Sequence, residues 1–293
     1  MARMIRTQFK LIILCIGVLV GALIIDRVYH ELYAPKLLEV VVLDVGQGSS
    51  AYVASPEGYE LLLDTGPSME GVRALWRYRF FIDRYIDELI ISHGDRDHMA
   101  MTPYFIKNFN LGRISWAPFE FDGAMHTTVQ KLVEEYNQNT KIVDAPEMYQ
   151  IGENLTLEIL WPQKEYQGRG RNNHSVVARV RYQDMDFLFP GDIEESVEAR
   201  LVDIYGEQLA SEVLVLAHHG SKTSSSMAFL QAVDPELAIV SVGSDNPYGH
   251  PHEQVLTRLR HLRIPLVSTA QMGDIVLLSD GQKIIMETPS FNK

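Results

Sequence analysis

Short apolar, β-branched runs broken by Gly, Pro and Asp recur along this chain, and between them lie stretches whose apolar residues return every three or four positions. The first pattern predicts strands and the second amphipathic helices. Leu37 to Leu43, Ala51-Tyr-Val53 and Glu60 to Leu63 read as strands, with Ser55-Pro-Glu-Gly58 as a turn. Gly71 to Tyr85 has helical spacing, Asp87 to Ser92 returns to a strand, Met101 to Asn108 is helical and Arg113 to Ala117 extended. Thr127 to Tyr136 is expected to be a helix with Val129, Leu132 and Val133 on one side. Later strands are expected at Lys141 to Val143, Leu155 to Leu160, Ser175 to Tyr182, Asp186 to Phe189, Val213 to Ala217, Leu237 to Val242, around Leu266 and at Ile275 to Leu278. Helices are expected at Glu194 to Tyr205, Met227 to Val233 and Glu253 to Leu262. Two sheets flanked by helices fit this order better than one parallel sheet.

The N-terminus follows another pattern. Arg3, Arg6 and Lys10 precede an uncharged stretch, Leu11 to Ile25, that ends at Asp26-Arg27. A basic segment (1–10) followed by an apolar one (11–29) reads as a signal anchor, with 30–37 as a linker around Pro35 and 38–293 as one large domain. Val20-Gly-Ala22 would serve as a cleavage site and give a secreted protein, but the apolar residues beyond it favour retention. Leu14 is too bulky for Cys15 to sit in a lipoprotein signal, and a buried first helix is the remaining alternative. With the basic end held in the cytoplasm, the body is expected outside a single-pass membrane anchor.

A net charge of −12 argues against coating nucleic acid through bulk electrostatics, though bound cations and local arginines can still hold a phosphodiester. Cys15 is the only cysteine, so neither an intrachain disulfide nor a cysteine zinc site is available. The densest chemistry is His93-Gly-Asp-Arg-Asp-His98, directly after the apolar run Glu88-Leu-Ile-Ile-Ser92. If the extended backbone continues, His93, Asp95 and Asp97 converge while His98 turns aside. Neutral imidazole and carboxylate are usual ligands of zinc and manganese, so this cluster suits one or two divalent cations. Four other sites follow strands in the same way: Asp64, Asp192, the pair His218-His219, and His250. Alone, Asp64 would brace a glycine turn and Asp192 would cap the helix after it.

Six stretches together resemble the metallo-β-lactamase superfamily, and within it the hydrolase domain of ComEC/Rec2 DNA-uptake channel proteins. They are Leu43-Asp-Val-Gly-Gln-Gly48, Leu63-Asp-Thr-Gly-Pro67, Ser92-His-Gly-Asp-Arg-Asp-His98, Gly191-Asp-Ile-Glu194, His218-His-Gly-Ser-Lys-Thr223 and Ser241-Val-Gly243 with Asn246 and Tyr248-Gly-His-Pro251. The resemblance covers about Leu38 to Leu278 and implies an αββα sandwich with a dinuclear site holding two divalent ions, Zn²⁺ or Mn²⁺. It implies His93 and Asp95 on the first metal, Asp97 and His98 on the second, and Asp192 bridging. The resemblance implies a histidine that binds metal or contacts phosphate at His218-His219, with His218 the candidate ligand, and implies that His250 holds the second metal or polarises the scissile group. His219 and His250, with Asp97, are the candidate catalytic groups. Ser221, Lys222 and Asn246 are candidate substrate contacts. Ser175 matches the position of a further histidine in many members and leaves His174 the weaker candidate, so the first site is oxygen-rich and leans towards manganese. The branch usually has Asp after Gly-Gln-Gly where this chain has Ser49-Ser50, and small glycines where it has Met99-Ala-Met101.

The implied activity is hydrolysis of phosphodiesters, DNA or RNA, by a metal-bound hydroxide. Arg73, Arg77 and Arg84 on one helical face, or Arg169 and Arg171, are candidate phosphate guides. The alternatives are hydrolysis of a lactone, thioester or other small ester, and a non-catalytic scaffold, because one fold hosts many functions.

Overall fold

A computed structural model describes residues 17, 18, 21, 37–79, 82–118, 123–166, 168 and 170–287, and the chain divides between Leu37 and Leu38. The basic segment, anchor and linker expected before residue 38 lie almost wholly outside the described residues. Residues 17, 18 and 21 are helical, and among the described residues no helix is long and apolar enough to cross a membrane.

From Leu38 onward the chain lays down β1 (Leu38–Val42), β2 (Ala51–Ala54), β3 (Glu60–Leu63), β4 (Tyr85–Ile91), β5 (Asn110–Trp116), β6 (Thr140–Ile142) and β7 (Glu147–Gln150). There follow β8 (Leu155–Trp161), β9 (Val177–Tyr182), β10 (Met185–Phe189), β11 (Val213–Val215), β12 (Leu237–Val240), β13 (Leu266–Ser268), β14 (Ile275–Ser279) and β15 (Ile284–Glu287). One sheet has the order β15-β14-β1-β2-β3-β4-β5-β6 and the other β13-β12-β11-β10-β9-β8-β7. Antiparallel pairing gives way to parallel pairing from β3 to β6 and from β10 to β13. Parallel strands end at a common edge, so the loops after β3 and β4 share one edge of the first sheet, and those after β10, β11 and β12 one edge of the second.

Side-chain alternation sorts the apolar residues into three layers. Val40 and Val42 of β1 lie between the sheets with Leu157, Ile159, Val180 and Phe187. Val41 and Leu43 point the other way, against Val72 and Leu75 of the helix Met69–Leu75, Phe105 of Thr102–Asn108 and Val129 of Gly123–Glu135. On the far side, Leu188 and Leu214 pack against Val197 and Leu201 of Glu195–Tyr205, Phe229 of Met227–Val233 and Val255 of Glu253–Leu262. The body is a mixed α/β sandwich of two sheets, as the order of elements predicts.

The differences are local. The helix expected over Gly71 to Tyr85 stops at Leu75. Arg77 reaches Asp274 and Arg79 reaches Glu60, and a continuing helix would turn residues two apart to different sides. The strands β7 and β15 were not expected. Both are edge strands, and Met148, Ile285 and Met286 are exposed, so neither has a clean apolar face.

Between the layers lies a buried carboxylate. Glu88 of β4 is fully buried and accepts bonds from Arg113 (3.0 and 2.6 Å), Ser115 Oγ (2.5 Å), Tyr59 OH (3.2 Å) and Tyr149 OH (2.8 Å). Tyr149 comes from the opposite sheet, so this carboxylate ties the sheets together under the strand that carries His93. Removing one partner of a buried pair costs about 3–5 kcal/mol, and the Arg113 side chain, 29% exposed, can partly rehydrate. Glu88→Ala is expected at the low end, about 3 kcal/mol, read from the shift of the urea midpoint. A loss below about 1 kcal/mol would show that the carboxylate does not hold the layers.

Candidate metal centre

The loop after β4 starts extended and then changes. Asp95 has φ −79° and ψ 148°, and Arg96–Met99 is a single helical turn. Strict alternation therefore ends at Asp95, which corrects the expectation that His98 turns aside. His98 is fully buried and is the residue common to both ligand clusters.

The first cluster is His93, His98 and Asp192, and the second Asp97, His98 and His219; in each, the candidate ligand atoms all lie within 4.8 Å of one another. Asp192, at the end of β10, sits at the centre. Its carboxylate is 3.7 Å from His93 Nε2, 3.2 Å from His98 Nε2, 3.8 Å from His219 Nε2 and 3.9 Å from His218 Nε2. Asp95 stands further out, 3.8 Å from His93 Nε2 and 3.4 Å from Arg171 Nε.

Burial works against ionisation of Asp192, but the imidazoles of His98, His219 and His93 override it and hold the carboxyl well below its usual range. For His98, burial opposes the charged ring, and Asp192 and Asp64 outweigh it and raise the imidazole well above its ordinary value. His93 is pushed down to about 4 by burial and by the charge on His98. Burial would raise Asp97, yet the hydrogen bond from His219 and the charge on His98 bring it to about 2.

Two buried nitrogens, His93 Nε2 and His98 Nε2, have no hydrogen-bond partner among the described residues. Burying a polar atom without a partner is costly, and here both face an ionised carboxylate. A donor set of imidazole nitrogen and carboxylate oxygen, with orphaned nitrogens at its centre, fits divalent cations.

The groups behind these ligands were not legible as such. Asp64, which a glycine turn alone would explain, accepts from Ser92 N and Ser92 Oγ (both 2.7 Å) and lies 2.7 Å from His98 Nδ1. It fixes the His98 ring so that Nε2 faces Asp192. The signal in the sequence was Asp64 directly after a strand, but its partner lies 34 residues away. Ser175 does not act as a ligand: its Oγ accepts from Asp192 N (3.1 Å) and donates to Asn172 O (2.7 Å). His174 turns away to Gly168 O (3.0 Å), so among the described residues the first cluster gains no third imidazole. Gly48 is obligatory, for a Cβ there would lie 2.4 Å from the Asp97 carbonyl oxygen.

The pair after β11 is divided by its backbone. His218 and His219 both have positive φ, 52° and 55°, a conformation costing on the order of 1–3 kcal/mol per non-glycine residue. This turn buries His219, whose Nδ1 bonds to Ser241 O (2.9 Å) and whose Nε2 points at Asp97 Oδ2 (3.3 Å). His218 stays at the rim, between Asn172 Nδ2 and Thr223 Oγ1 (both 3.4 Å). The geometry thus groups His219 with Asp97 and His98, while His218 reaches only Asp192, at 3.9 Å. His250 belongs to neither cluster; its ring lies 5.9 Å from that of His218 and 6.4 Å from that of His219. Burial, then the charges of His252, His219 and His218, push it down to about 4.

The three candidate substrate contacts do not converge. Ser221 is buried beside Thr223 Oγ1 (3.0 Å), Lys222 is exposed, and Asn246 spends its side chain bracing the loop at Gly243 O and His250 O and N. Arg77 bonds to Asp274 (2.8 Å through Nε) and Arg84 to Asn108 O (3.2 Å), while Arg169 lies outside the described residues.

The family model of the metallo-beta-lactamase superfamily matches residues 43–244, which contain both ligand clusters. The chain belongs to this superfamily. Its sequence is 35% identical over 246 residues to competence protein ComA of Neisseria gonorrhoeae, covering 80% of this chain and 31% of that protein. It is 28% identical over 254 residues to ComE operon protein 3 of Bacillus subtilis (strain 168), covering 81% and 32%. The chain therefore spans about a third of the length of these relatives and falls in the ComEC/Rec2-like branch. CmlA, a diiron β-hydroxylase from Streptomyces venezuelae, shares the fold, with a TM-score of 0.51 and 14% identity over 80% of this chain and 53% of that one. Membership of the superfamily and the donor set together support a metal-dependent hydrolase using divalent ions.

Removing a group that orients a ligating histidine typically weakens metal binding 10–100-fold. Asp64→Asn is expected to do so here, measured by calorimetric titration of the demetallated chain. Unchanged affinity would mean that Asp64 only shapes the glycine turn.

Proposed function

We propose that this chain is a membrane-anchored, extracytoplasmic hydrolase that cleaves phosphodiester bonds of nucleic acid with two divalent cations, Zn²⁺ or Mn²⁺. The observation that carries this reading is the pair of ligand clusters sharing His98 around one buried carboxylate. His93, Asp95 and Asp192 would hold one cation, Asp97, His98 and His219 the other, with Asp192 between them. The scarcity of imidazole in the first set favours manganese. Bound there, the cations supply a water nucleophile at neutral pH and charge stabilisation at the entering and leaving oxygens of a phosphodiester.

The protein's own groups do the rest. Asp97, ionised and one-third exposed, would orient the water. His218, at the rim beside Asp192, would deliver a proton to the leaving oxygen, and His250, pushed down to about 4 and so neutral at pH 7, would polarise the scissile group. Arg171, against Asp95 at the rim, can hold a nonbridging phosphate oxygen. The relationship to a competence protein supports a nucleic-acid substrate. Two buried, unpartnered imidazole nitrogens argue against a scaffold that has lost its metals.

Stripped of metal by a chelator, the purified chain is expected to lose all hydrolysis of single-stranded DNA, RNA and a generic bis-phosphodiester, and to regain it with Mn²⁺ or Zn²⁺. Asp97→Ala should lower turnover at least about 100-fold with an unchanged circular dichroism spectrum. Turnover of a lactone or thioester with no phosphodiester cleaved would replace this reading.

The topology is tested separately. The body is expected to be digested by protease added outside intact cells. Protection until lysis would place it in the cytoplasm.

A further inference from the structure

Tyr248 lies on the loop between β12 and the helix Glu253–Leu262, with 63% of its surface exposed. A single exposed ring is ordinary on any surface and by itself indicates nothing. The neighbours of this one give it meaning. Its ring stacks on that of His250, with centroids 5.7 Å apart and planes 24° apart. His250 in turn lies at 27° to His219, 6.4 Å away, and His219 belongs to the second ligand cluster. His250 thus links the exposed Tyr248 ring to the buried ligand cluster, its plane within 27° of each neighbour.

The loop that presents Tyr248 is held firmly. Asn246 Nδ2 donates to His250 O (2.9 Å) and Gly243 O (3.0 Å), and His250 N donates back to Asn246 Oδ1 (2.8 Å). Pro247 fixes one further backbone angle immediately before the tyrosine. A stiff aromatic surface kept in water at the mouth of a phosphodiesterase site suits one class of ligand, a flat aromatic group joined to the reacting phosphate. The charge of the chain points the same way. At −12 it gains little from bulk attraction to a polyanion, so a contact that does not depend on charge must hold the substrate in place.

We infer that Tyr248 is a stacking platform for the nucleobase beside the scissile phosphate, and that it selects unpaired over paired strands. A base can lie on the tyrosine only with one face free, which a base inside a duplex does not have. This inference rests on the phosphodiester reading above. His250 remains the group nearer the chemistry, and Tyr248 is a specificity residue.

The test uses the full chain loaded with Mn²⁺ and three oligodeoxynucleotides of equal length: a single strand, the same strand with a central run of abasic sites, and a duplex. The native protein is expected to cleave the single strand with a kcat/KM about tenfold or more above that for either of the others, the range that one base–aromatic stack supplies. In Tyr248→Ala the preference for the normal over the abasic strand should collapse to about one, and Tyr248→Phe should keep it. If Tyr248→Ala slows normal and abasic strands by the same factor, the ring merely positions His250 and the inference is overturned. A Tyr248→Ala protein that keeps the native preference overturns it too. Failure of the native protein to cut any of the three sinks the phosphodiester reading itself, and the inference with it.

Discussion

Asp192 is a carboxylate with almost no exposure, set among four imidazoles that arrive from two loops. Burying an ion costs several kcal/mol even after the protein relaxes, so the site exists only if positive charge is brought to it. His98 supplies part of this, held between Asp192 and Asp64. His93 Nε2 and His98 Nε2 make no well-formed hydrogen bond there, His98 only facing Asp192 at 3.2 Å. Divalent cations would supply the rest of the positive charge, and this need ties together the glycines, the strained histidine turn and the strand ends around the cluster.

The sandwich makes that concentration of charge affordable. Strands with apolar residues on both faces, such as β1 and β4, are anchored in two cores at once and hold their ends still. Glu88, bonded from both sheets, fixes the layers below the His93 loop. Close backbone contacts finish the work. Asp97 O accepts from Ser49 N, and Gly48 beside it leaves no room for a side chain. A site built this way is preorganised, because its ligands are placed by the fold before any cation arrives.

What could be read in advance followed the locality of the signal. The helices Met227–Val233 and Glu253–Leu262 have the limits that their spacing predicts, because each has one apolar stripe and polar flanks. The helix after Gly71 was overestimated because its end is set by ion pairs to Asp274 and Glu60, far away in sequence. In the site, the donor types that cluster were legible at His93, Asp97, His98 and Asp192, and their arrangement was less so. Extended alternation misjudged His98, since a one-turn helix begins at Arg96. The adjacent His218 and His219 are indistinguishable as letters, and only two left-handed residues in succession send one inward and keep the other at the rim.

The sequence by itself determined the layered α/β class, the family and the donor chemistry, because periodicity and motif are properties of neighbouring residues. Tertiary structure alone decided which imidazole faces which carboxylate, that Asp64 steers His98, and that Asn246 braces its loop. Those outcomes depend on ångström-scale distances between segments up to 122 residues apart, as between Asp97 and His219. Such distances are fixed only when two sheets close on each other and bring their strand ends to one edge.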